Sequence, residues 1–313
     1  MSKKSSTTRN RIALFFLGLW FLVFSSFPGA QAETISDDAG REVEIPSPCE
    51  RIVSLSPATT EIVFSLSLGE KLVGVTTYCN YPEEAKKKEK VGTINEISLE
   101  KVVELQPDLV LASSLTPPNV VERLESLGIT VFVLDPHNIS EVIEGIEKVA
   151  IISGAEDKGK ELKEAMEEEI REVRDKVSHL SPEERPTVFH LLWHDPLWTA
   201  GKDTFVNEFI TIAGGQNAFA DLSGYVIVDL EELIRRNPDI ITVVEDHGEE
   251  GSLSYQFLLS DSRLKVVNAI QNHKVFPVDS DIVSRSSARV VDAVRIFASI
   301  IHPEIFGEYE YQS

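Results

Sequence analysis

The sequence predicts two Rossmann-like α/β lobes with parallel sheets, joined by one long α-helix and separated by a ligand cleft. Three observations support this fold class. Short β-rich apolar runs alternate with helical stretches in both halves of the chain, which is typical of βαβ units and parallel sheets. A long charged stretch without a strand signal separates the halves, and segments of the first half recur in the second. At 313 residues the chain is long enough for two domains.

The first 32 residues have the features of a secretory signal peptide. Basic residues precede an apolar run at 12–27, and Ala-Gln-Ala follows at 30–32. This order predicts cleavage after Ala32. The alternative is an uncleaved membrane anchor, since the apolar run is about long enough to span a tilted bilayer. No cysteine lies near the cleavage site, which argues against a lipid anchor, so we expect a periplasmic or otherwise extracytoplasmic protein.

Residues 33–154 are predicted to form the N-terminal lobe. Its strands are short runs rich in β-branched residues, and its helices have apolar residues at helical spacing. Two of these helices end at Gly69 and Gly128, as helices commonly do. The predicted strands are 52–55, 72–75, 108–112 and 130–134, and the predicted helices are 58–68, 99–105, 120–127 and 140–153.

Residues 155–184 are predicted to connect this lobe to the C-terminal lobe, 185–313. Within 155–180, apolar residues recur at helical spacing among charged ones, and prolines follow the stretch. This pattern predicts one long amphipathic helix, which is a stiffer connection than flexible strands. In the C-terminal lobe, the predicted strands are 187–192, 240–244 and 275–278, and the predicted helices are 204–213, 230–236, 264–271 and 287–301.

Two segments of the N-terminal lobe recur in the same order in the C-terminal lobe. The sequence LEKVVELQPDLVLA at 99–112 resembles LEELIRRNPDIITV at 230–243, and the Val-Phe pair at 131–132 recurs at 275–276. An internal repeat of this kind predicts two similarly built lobes. Small molecules usually bind at the carboxyl ends of the strands of such lobes.

Composition and motifs argue against several classes of function. The formal net charge of −21 repels phosphate backbones, so we expect no nucleic-acid partner. Two cysteines exclude a disulfide scaffold and a Cys-rich zinc module. The sequence contains neither a G-x-S-x-G elbow nor a G-x-G-x-x-G turn after a strand. The segment GKDT at 201–204 lacks the first glycine of a phosphate loop, so we predict a helix start capped by Asp203 or Thr204.

The histidines and cysteines lack the spacing of a metal site or a disulfide. His190 and His194 fall in a predicted strand and the loop after it, where their side chains point in different directions. We interpret His194 as a hydrogen-bonding or surface residue, with a ligand to a cobalt or iron centre as the alternative. Cys49 precedes the first strand and Cys79 follows the second, so we expect the two sulfurs at opposite ends of the sheet and unbridged.

Aromatic residues cluster in the predicted loops at the strand ends. Exposed aromatic side chains at such positions suit a large, flat, partly apolar ligand. We assign Tyr78, Trp193 and Tyr225 to the ligand site. For Tyr81 and Trp198 we predict packing within their loops instead.

Four segments make the chain resemble a known family. They are 56–61 (SPATTE), 77–82 (TYCNYP), 194–201 (HDPLWTAG) and 281–289 (DIVSRSSAR). From about residue 45 to its end, the chain resembles the helical-backbone substrate-binding proteins of ABC importers, and most of all the members that bind cobalamin. The resemblance implies a monomer that captures vitamin B12 as a transported ligand, without a cofactor or a resident metal, and delivers it to a dimeric permease.

The resemblance also implies which residues bind the ligand. Tyr78 matches a ligand-contacting tyrosine, and Tyr225 takes the place of a tryptophan that lines the cleft. Ile94 and Ser113 replace two further tryptophans of the cleft, which thins its aromatic wall. A second ligand-contacting segment, in which the Asp and the Arg are retained, is matched by Asp281, Ile282, Val283, Ser284 and Arg285.

Glu100 and Glu231 are the residues that we expect to contact the permease. They occupy equivalent positions of the internal repeat, each at the start of a predicted helix. If a pseudo-two-fold axis relates the lobes, one carboxylate can meet one basic group on each permease subunit, and the resemblance implies the same pairing. The alternative is that both carboxylates only interact favourably with a helix dipole.

Three other functions remain open. A haem or ferric-siderophore receptor belongs to the same class, but these acidic ligands favour more Arg and Lys than the candidate loops offer. An exported α/β hydrolase is the second, and the missing nucleophile and metal motifs count against it. The third is an interaction or scaffold protein with an empty cleft.

Overall fold

Two large β-sheets, one in each half of the chain, organise the computed structural model of the protein. The structure describes residues 33–45, 49–245 and 251–311, with the backbone alone for 251 and 252. The predicted signal peptide, 1–32, and its cleavage site lie outside this part of the chain. Within the described ranges, no helix combines the length and the apolar character needed to cross a membrane.

A short antiparallel hairpin that was not predicted precedes the first sheet. It consists of β1 (Glu33–Ser36) and β2 (Glu42–Ile45). The carboxylate of Asp37, in the turn, accepts hydrogen bonds from the backbone N–H groups of Arg41 at 2.9 Å and Val133 at 3.2 Å. The hairpin is therefore attached to the N-terminal lobe by a buried carboxylate.

The sheet of the N-terminal lobe is entirely parallel. Its strands are β3 (Ile52–Ser54), β4 (Leu72–Val75), β5 (Glu89–Lys90), β6 (Leu109–Ser113) and β7 (Thr130–Leu134). Their spatial order is β5-β4-β3-β6-β7. All residues of β3 and nearly all of β6 are buried, as expected for parallel strands covered on both faces. The four predicted strands are confirmed to within a residue at each end, and β5 is an addition.

Three of the four helices of this lobe begin at a residue whose side chain caps them, and the remaining helix begins with a proline. They are α1 (Pro57–Ser65), α2 (Leu99–Glu104), α3 (Pro118–Ser126) and α4 (Ile139–Ile152). The hydroxyl of Ser56 accepts a hydrogen bond from the N–H of Thr59 at 3.2 Å, and the side chain of Asn138 accepts one from Glu141 at 2.9 Å. Each cap satisfies an N–H group that has no partner inside its helix.

One long helix, α5 (Glu156–Val177), follows and corresponds to the stretch predicted at 155–180. Its buried face includes Met166, Ile170 and Val173, at the predicted helical spacing. Gly159 lets α5 approach α4 closely, because a Cβ atom there would lie 2.5 Å from the Cβ of Ala150. The helix therefore packs firmly on the N-terminal lobe before the chain enters the second lobe.

The sheet of the C-terminal lobe is mixed, which differs from the parallel sheet predicted. Its strands are β8 (Thr187–His194), β9 (Leu197–Ala200), β10 (Gln216–Asn217), β11 (Tyr225–Ile227), β12 (Ile240–Glu245) and β13 (Val275–Asp279). The main order is β11-β9-β8-β12-β13, and β10 pairs with β8. β9 runs antiparallel to β8 because the chain reverses in a two-residue turn at 195–196, and β11 is antiparallel to β9.

The helices of this lobe partly match the prediction. They are α6 (Phe205–Ile212), α7 (Leu230–Arg236), α8 (Gly251–Ser260), α9 (Asn268–Gln271), α10 (Ser280–Ser284), α11 (Val290–Ile301) and α12 (Pro303–Phe306). The single helix predicted at 264–271 is wrong: a 3₁₀ turn at Ser262–Val266 precedes α9, with Val267 extended between them. Thr204 caps α6 as predicted, accepting a hydrogen bond from the N–H of Asn207 at 3.2 Å.

The internal repeat is confirmed in three dimensions. Strands β3, β6 and β7 form the same parallel order as β8, β12 and β13. Leu109 and Ile240, which are equivalent in the repeated segments, lie opposite Ile52 of β3 and Val188 of β8, respectively. A continuous hydrophobic core extends from the first lobe through α5 into the second, and the chain from Glu33 onward forms one compact unit.

Candidate functional site

An apolar cavity of about 520 Å³ lies at the carboxyl ends of β8 and β12. This is the end of the strands at which α/β proteins bind small molecules. None of the lining side chains is charged. The lining residues come from the C-terminal lobe and are Leu192, Trp193, Trp198, Val206, Tyr225, Val244, Val283 and Ser284.

Three aromatic side chains form the wall of this cavity, and they stand on the unpredicted antiparallel strands or beside them. Trp193, near the end of β8, lies opposite Trp198 of β9, and Tyr225 begins β11. Their exposed fractions are 39%, 36% and 47%, which are large for aromatic residues. The indole N–H of Trp193 donates to the carbonyl of Asp195 at 2.9 Å and so fixes the ring. This wall presents aromatic surface to a flat, partly apolar molecule.

The structure places some of the predicted site residues on the cavity and others outside it. Trp193, Tyr225, Val283 and Ser284 line it. Trp198 lines it too, although packing within its loop was predicted. Sequence reasoning missed three further lining residues, Leu192, Val206 and Val244, and their apolar character at the ends of predicted elements is the signal that could have found them.

Asp281 of α10 and Arg285, the residue that follows this helix, flank Val283 and Ser284 but contact the N-terminal lobe. One guanidinium nitrogen of Arg285 lies 2.5 Å from the carboxylate of Asp281. The other donates to the carboxylate of Glu61 at 2.8 Å and to the side-chain oxygen of Asn80 at 2.7 Å. Asp281 and Arg285, both predicted to contact the ligand, therefore bind residues of the N-terminal lobe instead. Helix α10 thus connects the cavity to the junction between the lobes. Ile282, between them, is half-buried.

Tyr78 lies on the opposite side of this junction, in the loop that follows β4. Its side chain is 56% exposed and does not line the cavity. Asn80, two residues later, donates to Asp281 at 2.8 Å, so the loop that carries Tyr78 is attached to α10. Ile94 is half-buried in a turn before α2, and Ser113, at the end of β6, lines a separate cavity of about 350 Å³ beside the β1–β2 hairpin.

The other candidate groups have structural partners. Nδ1 of His194 lies 3.1 Å from the hydroxyl of Ser254, in agreement with a hydrogen-bonding role. Nδ1 of the fully buried His190 lies 2.8 Å from the hydroxyl of Thr242, and burial lowers the pKa of this imidazole to about 3. In the part of the chain that the structure describes, no group of three or more His, Cys, Asp or Glu residues is arranged to hold a metal ion.

The two cysteines are free, as predicted, and both are buried. Burial is the main cause that raises the pKa of the Cys49 thiol to about 11. The sulfur of Cys79 accepts a hydrogen bond from the hydroxyl of Thr60 at 3.2 Å. Both thiols therefore belong to the packing of the N-terminal lobe.

Glu100 and Glu231 occupy matching positions in the two lobes. Each is the second residue of its helix, α2 or α7, and both side chains are exposed. The two helices are capped in the same way. The side chain of Ser98 accepts a hydrogen bond from the N–H of Lys101, and that of Asp229 accepts one from the N–H of Glu232 at 2.7 Å. The repeat therefore presents one carboxylate per lobe at the same helix position.

Comparisons with known proteins identify related sequences. A family model described as periplasmic binding protein matches residues 52–282. The uncharacterized ABC transporter substrate-binding lipoprotein YvrC of Bacillus subtilis (strain 168) is 37% identical over 280 residues, which cover 88% of this chain and 87% of that protein. The vitamin B12-binding protein of Yersinia pestis (strain Pestoides F) is 34% identical over 196 residues, 62% of this chain and 69% of that protein.

Solved structures of similar fold include binding proteins for two kinds of ligand. The periplasmic vitamin B12 binding protein BtuF of Vibrio cholerae aligns with a TM-score of 0.68 and 27% identity, over 82% of this chain and 98% of that one. The periplasmic heme-binding protein RhuT of Roseiflexus sp. RS-1 aligns with a TM-score of 0.71 and 27% identity, over 81% and 98%. The likeness extends over both lobes and leaves the ligand open.

Proposed function

We propose that this chain, which belongs to the periplasmic binding protein family, captures cobalamin outside the cytoplasmic membrane and delivers it to the permease of an ABC transporter. The chain is an ABC transporter substrate-binding protein of the class that includes vitamin B12 and haem receptors. The observation that supports cobalamin is the uncharged, aromatic-walled cavity at the carboxyl ends of β8 and β12.

The charge of the site separates cobalamin from the acidic ligands of the class. The corrin ring is flat and carries neutral amides, so it needs apolar surface and a few hydrogen-bond partners. Haem propionates and catecholate ferric siderophores are anionic and need cationic partners. The arginines next to the cavity, Arg285 and Arg289, already pair with the buried carboxylate of Glu61. A neutral ligand therefore fits this site better than an anionic one.

The size of the cavity indicates how the ligand would lie. A space of about 520 Å³ is too small to enclose a corrin with its side chains. One face of the ring would stack on Trp193, Trp198 and Tyr225, and the rest of the molecule would extend toward the N-terminal lobe. The exposed Tyr78 is the aromatic residue of that lobe best placed to cover it, because its loop is attached to α10.

Haem is the second candidate, on a specific observation. Tyr78 and Tyr225 are phenols with large exposed fractions, 56% and 47%, at the lobe junction and on the cavity wall. A tyrosine oxygen can coordinate haem iron. The neutral lining of the cavity is the reason that we place haem second.

For docking to the permease, we assign the contact to Glu100 and Glu231. Both are exposed, and each occupies the second position of a helix that begins at the same place in its lobe. A permease with two equivalent subunits can offer one basic group to each carboxylate. Exposed pairs of this kind steer encounter and fix orientation more than they add affinity.

Titration calorimetry with purified protein tests the ligand. Cyanocobalamin, haemin and the anionic siderophore complex ferric enterobactin are injected separately, and absorbance spectra of each mixture are recorded. We expect saturable 1:1 heat with cyanocobalamin and none with ferric enterobactin. Tyr225→Ala is expected to weaken binding, whereas Leu127→Ala, at an exposed position that precedes the amino end of β7 and is not part of the cavity lining, serves as the control. Heat and a shifted Soret band with haemin alone would reassign the site to haem.

A further inference from the structure

The carboxylate of Glu61, in α1 of the N-terminal lobe, is buried and bound entirely from the other lobe. Its side chain is 2% exposed. One of its oxygens accepts hydrogen bonds from Arg285 at 2.8 Å and Arg289 at 3.3 Å, and the other accepts from the hydroxyl of Ser287 at 2.6 Å. These donors all follow β13 in the C-terminal lobe. A charge withdrawn from water is thus neutralised only while the two lobes stay together.

The same cluster includes the loop that carries Tyr78. The side chain of Asn80 accepts a hydrogen bond from Arg285 and donates one to Asp281, so its amide bridges these two charged residues. The guanidinium of Arg289 lies 4.2 Å from the centre of the Tyr81 ring, which is a cation–π distance. We call Glu61, Asn80, Asp281, Arg285, Ser287 and Arg289 the inter-lobe cluster.

The charges of the inter-lobe cluster balance, with two carboxylates and two guanidinium groups. Buried ions are tolerated only when each has its partners, and removal of one partner leaves an uncompensated charge in a medium of low polarity. Arg285 is 9% exposed in its side chain and Arg289 16%, so neither can turn fully to water without moving the lobes apart. The arrangement therefore depends on one relative position of the lobes.

We propose that Glu61 is a positioning residue for the ligand site: through Arg285 and Asn80 it fixes α10 and the Tyr78 loop against each other before any ligand arrives. Val283 and Ser284 of α10 line the cavity, and Tyr78 lies two residues before Asn80. Glu61 itself lies outside the cavity lining. The wall of the C-terminal lobe and the aromatic residue of the N-terminal lobe are thereby held at a set spacing.

A helix that is packed on both lobes limits rotation, but it does not determine the spacing at the carboxyl ends of the strands. The inter-lobe cluster acts directly at that place, next to the cavity. The role of the cluster is the same whichever ligand the protein binds, so the proposal can be tested without a ligand.

The test compares the distance between the lobes in the free protein. Spin labels are attached at Ser126→Cys in α3 and Lys265→Cys in the second lobe, both exposed positions. The native Cys49 and Cys79 are buried and are expected to label slowly. Pulsed electron paramagnetic resonance then gives the distance distribution for the otherwise unaltered protein and for Glu61→Gln, which keeps the shape of the side chain but removes its charge.

We expect a single narrow distance in the parent protein and a distribution about twice as wide in Glu61→Gln, because Arg285 and Arg289 lose the negative charge of their shared partner. The matched control is Asp239→Asn. That carboxylate also accepts two hydrogen bonds, from the N–H and the hydroxyl of Thr187 at 2.9 and 2.7 Å, but both lie within one lobe. The control should lower the melting temperature without widening the distribution.

Ser287→Ala provides a milder variant if Glu61→Gln does not fold. It removes the 2.6 Å hydrogen bond and leaves every charge in place, so an intermediate widening is expected. A distribution in a folded Glu61→Gln or Ser287→Ala protein that superimposes on the parent would overturn the proposal and reduce Glu61 to a residue of the folded core.

Discussion

The two lobes share a strand framework but differ in what they attach to it. In the N-terminal lobe the framework β3-β6-β7 is extended by parallel strands. In the C-terminal lobe the framework β8-β12-β13 is extended by the antiparallel β9 and β11, which carry Trp198 and Tyr225. The apolar cavity lies against this addition. The repeat therefore supplies the scaffold, and the departure from the repeat supplies the binding surface.

The interiors of the lobes differ at an equivalent position as well. Ser54 of β3 lies opposite Leu111, and His190 of β8 lies opposite Thr242, at the offset of the repeat. The hydroxyl of Ser54 donates to the carbonyl of Ser56 at 2.9 Å within a network of hydroxyl groups. In the C-terminal lobe the same place holds an imidazole without exposure to solvent. The C-terminal lobe thus contains a titratable group where its counterpart has none.

Acid should therefore destabilise the protein through His190, and this is the largest effect that we expect. Burial lowers the pKa of the imidazole from 6.5 to about 3. Below pH 6.5 the unfolded chain binds a proton that the folded protein does not, so stability is lost as the pH falls from 6.5 toward 3. At pH 5 the loss is about 2 kcal/mol. Urea unfolding at pH 7 and pH 5 measures it, by comparison of the parent protein with His190→Asn.

His190→Asn should be less sensitive to the pH change by that amount, since an amide can replace Nδ1 as partner of Thr242 without titrating. His137→Asn is the control, at a side chain that is 75% exposed, and it should behave like the parent. Equal losses of stability in the parent and in His190→Asn would show that other groups cause the acid sensitivity.

The next effect concerns the affinity for cobalamin, to which the aromatic residues of the two lobes should contribute unequally. Tyr225→Ala should weaken binding by about 2 kcal/mol, because it removes a ring from the cavity wall. Tyr78→Ala should cost less, about 1 kcal/mol, because Tyr78 lies outside the cavity lining. Calorimetric dissociation constants measure both, and Tyr225→Phe, which keeps the ring, should stay near the parent value. A larger loss from Tyr78→Ala would place the main stacking surface on the N-terminal lobe.

The sequence predicted the elements whose pattern is local. The helical spacing of Met166, Ile170 and Val173 located α5, and the repeated segments located β6 and β12. The hairpin of β8 and β9 was missed because its turn at 195–196 has the composition of a loop. β11 was missed because three exposed or half-exposed residues give no burial pattern.

The inter-lobe cluster could not be predicted from any local pattern. Glu61 and Arg285 are 224 residues apart, and the fold alone brings them together. In the sequence, Glu61 lies among polar residues near the start of a predicted helix, and Asp281 and Arg285 are predicted to contact the ligand. The structure shows that their polar atoms are engaged across the lobes, which depends on the relative position of two separately built sheets.

A smaller effect is expected at the permease. The double variant Glu100→Ala/Glu231→Ala should bind cobalamin normally, because both side chains are exposed and outside the cavity. Its association with the permease should weaken by about 0.5 kcal/mol per carboxylate at low salt, and by less at high salt, where exposed charges are screened. Surface plasmon resonance against detergent-solubilised permease at two salt concentrations measures this. Glu122→Ala/Glu308→Ala removes the same charge from one exposed position in each lobe, outside α2 and α7, and is the matched control.

Unchanged association in Glu100→Ala/Glu231→Ala would reduce both residues to favourable charges at helix starts. A loss in one single variant equal to that of the double variant would mean that the lobes do not contribute symmetrically. The two lobes would then differ at their outer surfaces as well as at the ligand site.

The smallest effect should come from adding an aromatic side chain to the N-terminal lobe, at a cleft position that lacks one. Ile94 is half-buried in a turn before α2, at a place where the resemblance implies a tryptophan of the cleft. Ile94→Trp should therefore strengthen cobalamin binding by about 0.5 to 1 kcal/mol, the range of a favourable aromatic contact. Ile94→Leu, which changes the shape without adding a ring, should leave the affinity unchanged. Equal affinities for Ile94→Trp and the parent would indicate that the ligand rests on the C-terminal wall alone, and that the asymmetry between the lobes extends to binding itself.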